Sequence, residues 1–168
     1  SALYDAITRL PEYYPARTEQ SILDRWAPEM VDRARADTLV ELGSGTSEKT
    51  GALLDAMAAT GELRRYVPFD AADATLRDAA DRIASRYGIE VHGVVGDFRR
   101  HVGAVPTDGV RLFAFLGGTV GNFDPADRAQ LLTQIAEVMR PGDALLLGTD
   151  LVKDVHRLVR AYDDAAGV

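Results

Sequence analysis

The sequence has no cysteine, which removes disulfides, thiolate nucleophiles and cysteine-ligated metals. Its three histidines, His92, His101 and His156, are scattered singly, without the i, i+4 spacing of a helical zinc site, so no metal is expected. Apolar runs are short: those around Leu112–Leu116 and Ala144–Leu147 have strand length, far below the roughly 20 residues of a membrane-spanning helix. Basic residues are outnumbered, 19 against 26 acidic ones, for a net charge of -7, which argues against a broad grip on a nucleic-acid backbone. There is no charged-then-apolar leader and the chain begins with Ser1, so the start is expected to be trimmed or internal to a longer gene product, in a cytoplasmic setting.

What is present suits one folded core: 168 residues, 46% hydrophobic and 27% charged, without repeats or low-complexity stretches. Prolines and aromatics in Leu10–Pro15 make the first 17 residues an expected ordered loop, followed by a helix capped by Thr18 and running to Trp26, and a second with Pro28 in its first turn, reaching Ala34. From Thr38 onward short apolar runs alternate with helix-length segments. The strands are predicted at Thr38–Leu42, Arg65–Phe69, Ile89–Val95, Arg111–Leu116 and Ala144–Leu147. Helices are predicted at Glu48–Ala59, Ala72–Tyr87, Pro125–Met139 and Lys153–Ala161, with Phe98–Val110 the least regular connection. Strand-then-helix repetition predicts an α/β fold with a doubly wound parallel sheet, whose ligands bind beyond the carboxyl ends of the strands.

The residues after each strand are therefore the candidates. Gly43 and Gly45, in Glu41-Leu-Gly-Ser-Gly-Thr-Ser-Glu-Lys-Thr50, permit a sharp turn and close approach of a nucleotide-like cofactor. The dinucleotide fingerprint and the phosphate loop both fail where Glu48 replaces a glycine, which disfavours a pyrophosphate. Only Lys49 and Lys153 break an otherwise all-arginine choice of cation, and Lys49 suits a single carboxylate better than a solvated helix turn requires. Asp70 ends the second strand where a ribose acceptor belongs, an N-cap role for it or Asp73 being the alternative. Asp97 and Phe98 could take an adenine amino group and ring, or form a turn with a core Phe. Asn122, after three glycines, can donate and accept at an amino acid's polar end, or serve as a left-handed turn residue. No Ser-His-Asp set or close carboxylate pair is recognisable.

Val40-Glu-Leu-Gly-Ser-Gly-Thr46 and Pro141-Gly-Asp143 resemble motifs of class I S-adenosylmethionine-dependent methyltransferases. Four segments, Leu10–Leu23, Glu41–Thr50, Phe115–Asn122 and Leu147–Lys153, are similar to the bacterial L-histidine N-alpha-methyltransferases of ergothioneine biosynthesis. The resemblance implies S-adenosylmethionine as cofactor, with Gly43 and Lys49 at its methionine part, Asp70 at the ribose, Asp97 and Phe98 at the adenine, and Gly45 among the cofactor-binding residues. It also implies that Tyr13, Asn122 and Tyr162 hold the amino-acid end of histidine, a small-molecule substrate methylated to trimethylhistidine.

Against that family the chain is expected to lack a second substrate lobe and the last strands of the sheet, leaving residues 1–37 as a substrate-side segment and 38–168 as an incomplete cofactor domain. Open apolar strand Ala144–Leu147 would then favour self-association. The alternatives are a cofactor-binding fragment without turnover and a class I methyltransferase for another small amine.

Overall fold

The computed structural model describes residues 6–163, and the expectations about the two chain ends fall outside them. One helix, α1 (Tyr14–Ala34), begins within the Leu10–Pro15 region and takes the place of the end of the predicted loop and of both predicted helices. Pro15 sits in its first turn, where a missing N–H costs nothing. Pro28 lies inside the helix but on its exposed side, so the carbonyl it fails to engage faces water, while Leu23, Ala27 and Val31 form a continuous buried stripe. That burial outweighs the lost hydrogen bond and the break predicted at Pro28.

The rest follows as β1 (Thr38–Leu42), α2 (Gly51–Thr60), β2 (Arg65–Asp70), α3 (Asp73–Tyr87), β3 (Glu90–Val91), β4 (Val94–Val95), α4 (Phe98–His101), β5 (Arg111–Phe115), α5 (Pro125–Val138), β6 (Ala144–Leu147) and α6 (Val155–Tyr162). All strand pairs are parallel, in the order β3-β2-β1-β5-β6 with β4 continuing β3 beside β2, so the predicted doubly wound sheet is present. Leu39, Tyr66 and Leu112 point into one core with α1 and α2, and Val40, Leu42, Phe69, Phe113 and Phe115 into another that includes Leu131 and Ile135 of α5. Both faces of β1 are thus covered, and all five of its residues are buried.

The predicted third strand is split in two, and the cause lies in its neighbour. Tyr66 pairs with Val91 and Phe69 with Val94, so the register is unbroken across the gap. His92 N–H donates to the Tyr66 carbonyl and Gly96 N–H to the Asp70 carbonyl, so even-numbered residues of β2 direct their backbone groups to this edge. Pro68 is the even-numbered residue between them and has no N–H to give. The ladder lapses opposite it, at His92 and Gly93.

At the amino ends of the strands, Arg111 and Asp143 form a fully buried ion pair, 0% and 2% exposed at their side chains. Asp143 accepts from the Arg111 backbone N–H at 2.8 Å, from Arg111 Nε at 3.0 Å and from the Arg140 N–H at 2.8 Å, while Arg111 also donates to the carbonyls of Pro106 and Val138. Burial raises the Asp143 pKa, but the Arg111 and Arg140 donors outweigh it and hold the carboxyl below its ordinary range. Removing one partner of such a pair strands the other. Asp143→Ala is therefore expected to destabilise the fold by about 3–5 kcal/mol in urea titrations. Acid should act on the same bond in the wild type: its contribution is complete above the unfolded Asp value of about 3.9 and is lost as pH falls through the lower native value. A variant as stable as wild type at pH 7 would contradict this.

Candidate active site

The cleft forms where β1 parts from β2 and β5. Gly43 and Ser44 both donate their N–H to the Phe69 carbonyl, at 2.8 and 3.1 Å, so the loop is hung from the end of β2. Gly43 has φ +76, and a Cβ there would project toward Phe98, 3.8 Å from its Cε1, into the space a ligand needs. The predicted helix start at Glu48 is displaced to Gly51, because Ser47 takes a left-handed φ of 56 and keeps the chain in a turn through Thr50. Lys49 consequently stands on the loop and not on the first turn of a helix.

Asp70 serves the backbone with both oxygens. Oδ2 accepts from the Gly45 N–H at 2.8 Å and Oδ1 from the Ala72 N–H at 2.9 Å. This side chain fixes the glycine loop and lines the cleft, while the N-cap of α3 is Ala72, without a side-chain cap bond, so the predicted capping role falls to neither Asp70 nor Asp73. Each oxygen keeps a further lone pair for a ligand hydroxyl.

Asp97 caps α4 by accepting from the Arg99 N–H at 3.0 Å, and the Arg99 guanidinium embraces the same carboxylate, with Nη2 2.8 Å from Oδ2. That pairing holds the Asp97 carboxyl below its usual range. Phe98 is half-buried in an edge-to-face cluster with Phe69, Phe115 and Phe123, at centroid distances of 6.4, 5.4 and 6.3 Å. Together Gly43, Asp70, Ala71, Gly96, Asp97, Phe98, Arg99 and Phe123 enclose about 510 Å³, the size of a small-molecule site. Apolar ring surface, carboxylate acceptors and an open glycine cradle suit an adenosyl group.

On the other side of the β1 loop, Lys49 Nζ is 2.9 Å from Glu19 Oε2, and Glu19 Oε1 accepts from the Gly117 N–H at 2.7 Å. Glu19, on α1, escaped the sequence reading because nothing local marks it; only the fold brings it to the strand ends. Tyr13 and Tyr162, 8% and 61% exposed, meet edge-to-face at 5.6 Å. Next to them the Tyr14 hydroxyl bonds Asp150, and Lys153 and Arg157 cover its ring at 4.2 and 4.6 Å. Burial and Asp150 push the Tyr14 phenol above its ordinary pKa. Asn122 is exposed at the end of a 3₁₀ turn, Thr119–Asn122, and its φ is not left-handed, which removes that turn role. Glu41 is buried, 5% exposed, and its carboxylate accepts from the Thr50 hydroxyl and meets the Tyr66 hydroxyl, itself 2.8 Å from Ser47 Oγ.

Among the described residues no acidic or histidine cluster suits a metal, and no helix is long and apolar enough to cross a membrane. The doubly wound sheet with its glycine loop after β1 and carboxylate after β2 defines a class I methyltransferase fold. Solved structures share it: an O-methyltransferase family protein from Burkholderia thailandensis at TM-score 0.51 and 18% identity, covering 85% of this chain and 47% of that one, and a carbon methyltransferase at TM-score 0.53 and 18% identity, covering 74% and 31%. The chain belongs to the S-adenosylmethionine-dependent, histidine-specific methyltransferase family, whose model matches residues 1–168. It is 59% identical to the histidine N-alpha-methyltransferase of Mycobacterium tuberculosis, covering 100% of this chain and 53% of that protein. Ergothioneine biosynthesis protein 1 of Neurospora crassa is 31% identical over 99% of this chain and 20% of its own length. The chain spans about half the length of the curated mycobacterial relatives it matches.

Burial is the largest influence on Glu41 and raises its pKa from 4.5 to about 7, against the opposing bonds from Thr50, Tyr66 and Ser47. A raised native value means stability that is full below the unfolded pKa and declines as pH rises through the native one. At about 1.4 kcal/mol per pKa unit, on the order of 3 kcal/mol is lost between pH 4.5 and somewhat above 7. Glu41→Gln, which keeps an acceptor for Thr50 and supplies a donor toward Tyr66, should flatten the pH dependence of denaturation over that window. An unchanged profile would show that Glu41 is not its source.

Proposed function

We propose that this chain carries the cofactor cleft and part of the amino-acid site of an S-adenosylmethionine-dependent N-methyltransferase acting on the α-amino group of L-histidine, toward trimethylhistidine. The observation that carries the reading is the cleft of Gly43, Asp70, Asp97 and Phe98 at the sheet's switch point in a chain of the histidine-specific family. On this reading residues 1–37 form the substrate-side segment and 38–168 the cofactor domain. Gly43 and Lys49 receive the methionine part, Asp70 the ribose hydroxyls, and Asp97 with Phe98 the adenine, while Gly45 belongs to the same cofactor loop.

S-Adenosylmethionine, when bound, supplies a methyl group on a cationic sulfur that departs as a neutral thioether. Alignment is then the main task of the protein. Tyr13, Asn122 and Tyr162 orient the amino-acid end of the substrate with phenol and amide groups, adding no formal charge beside the sulfonium. The Asn122 carbonyl oxygen can accept an amine N–H and leave the nitrogen lone pair free for attack.

Calorimetry with S-adenosyl-L-homocysteine tests the cofactor site. Asp70→Ala should lower its affinity about tenfold or more, the worth of a charge-assisted hydrogen bond; unchanged affinity would leave Asp70 a purely structural residue. In methyl-transfer assays on the family-length enzyme, Asn122→Ala should reduce histidine methylation far more than it reduces affinity for the homocysteine product. Equal losses would place Asn122 in the turn's stability and not at the nucleophile. Exposed Leu145 and Leu147 on edge strand β6 support a third expectation, that the isolated chain self-associates, visible as concentration-dependent mass in ultracentrifugation. A monomer at all concentrations would refute it.

A further inference from the structure

Glu19 lies across the carboxyl ends of three strands. It pairs with Lys49 after β1 and takes the Gly117 N–H after β5, and after β6 it lies so close that a Cβ on Gly148 would stand 2.3 Å from its Oε1. Its side chain is 16% exposed and that of Lys49 22%, so the two charges are largely withdrawn from water yet still reachable. A pair in that setting recovers little net stability after desolvation, and an apolar contact would attach α1 to the sheet at least as well. Its place beside the glycine loop, at the switch point where ligands bind, suggests a different use.

The methionyl end of the proposed cofactor is a zwitterion. Lys49 matches its carboxylate, but the glycine loop offers its ammonium no comparable charge: Ser44, Thr46 and Ser47 are neutral, Glu48 is exposed, and Glu41 is enclosed by Thr50 and Tyr66. Glu19 is the carboxylate adjoining Lys49. We propose that Glu19 and Lys49 form a receptor for the zwitterionic amino-acid end of the cofactor, Glu19 taking the α-ammonium and Lys49 the α-carboxylate. Without ligand each side chain serves as the other's counter-ion; with ligand, one ion pair is exchanged for two, and the zwitterionic end itself adds no net charge. The Gly117 N–H holds Glu19 in place in both states. This inference rests on the cofactor reading above.

The test is calorimetry on the 168-residue chain with S-adenosyl-L-homocysteine and with its deaminated analogue, in which hydrogen replaces the α-amino group. Wild type should prefer the complete ligand about tenfold or more, and Glu19→Gln should bring the two affinities within about twofold, by weakening the complete ligand only. If Glu19 merely competes for Lys49, the variant binds both ligands more tightly; if it is only a latch for α1, both weaken together; either result overturns the proposal, as does an unchanged preference. Lys49→Gln supplies the mirror experiment should Glu19→Gln fail to fold: it should erase the preference over the decarboxylated analogue and keep the preference over the deaminated one, and loss of both would count against the receptor. Wild type that binds none of these ligands would remove the cofactor reading itself, an outcome distinct from binding that is indifferent to Glu19.

Discussion

Because β1 is hydrogen-bonded in parallel to β2 on one side and to β5 on the other, the chain must leave each strand at the same end of the sheet and return by a helix. The register then decides which distant residues become neighbours. Leu42 lies beside Phe69, so Gly43 reaches the Phe69 carbonyl, and Asp70 reaches back to the Gly45 N–H, 25 positions earlier in sequence. Glu41 lies beside Ala114, which brings the turn after β5 within reach of the loop that carries Lys49. Three short loops, none of which could bury a ligand alone, become one cleft.

The two ends of this sheet treat buried charge in opposite ways. Below, Arg111 and Asp143 pair directly, and each nitrogen and oxygen of the two side-chain heads is hydrogen-bonded. Above, Glu41 is met by the hydroxyl groups of Thr50 and Tyr66, and burial favours its neutral form. With one proton per hydroxyl, the neutral acid can donate to Tyr66 while Tyr66 donates to Ser47; the ionised acid reverses the direction of both bonds. Ser47 is a non-glycine residue held in a left-handed conformation, so this network bears on the strained turn of the cofactor loop.

Local features made most of this legible in the sequence. The strands from Thr38 on, the glycine loop, and the acidic residues at the ends of β2 and β4 all follow from apolar runs and from what stands just after them. Tyr13 and Tyr162 came from the family resemblance, and the fold sets their rings against each other. What escaped depends on distance through space. Pro28 looks like a helix boundary until the stripe of Leu23, Ala27 and Val31 is seen to be buried as one; Ile89–Val95 looks like one strand until Pro68 is placed opposite its middle; and Glu19 is one exposed-looking glutamate in a polar helix until the fold lays it on Lys49.

The lapse opposite Pro68 gives the sheet two unlike borders. On the β3 and β4 side each ladder is two residues long, with an interruption between them that another strand could not follow in continuous register. On the β6 side four residues run without a break. Among the described residues, the sheet could thus be extended in register at one border and not at the other. A single proline in an interior strand thereby gives the sheet a direction in which it could grow.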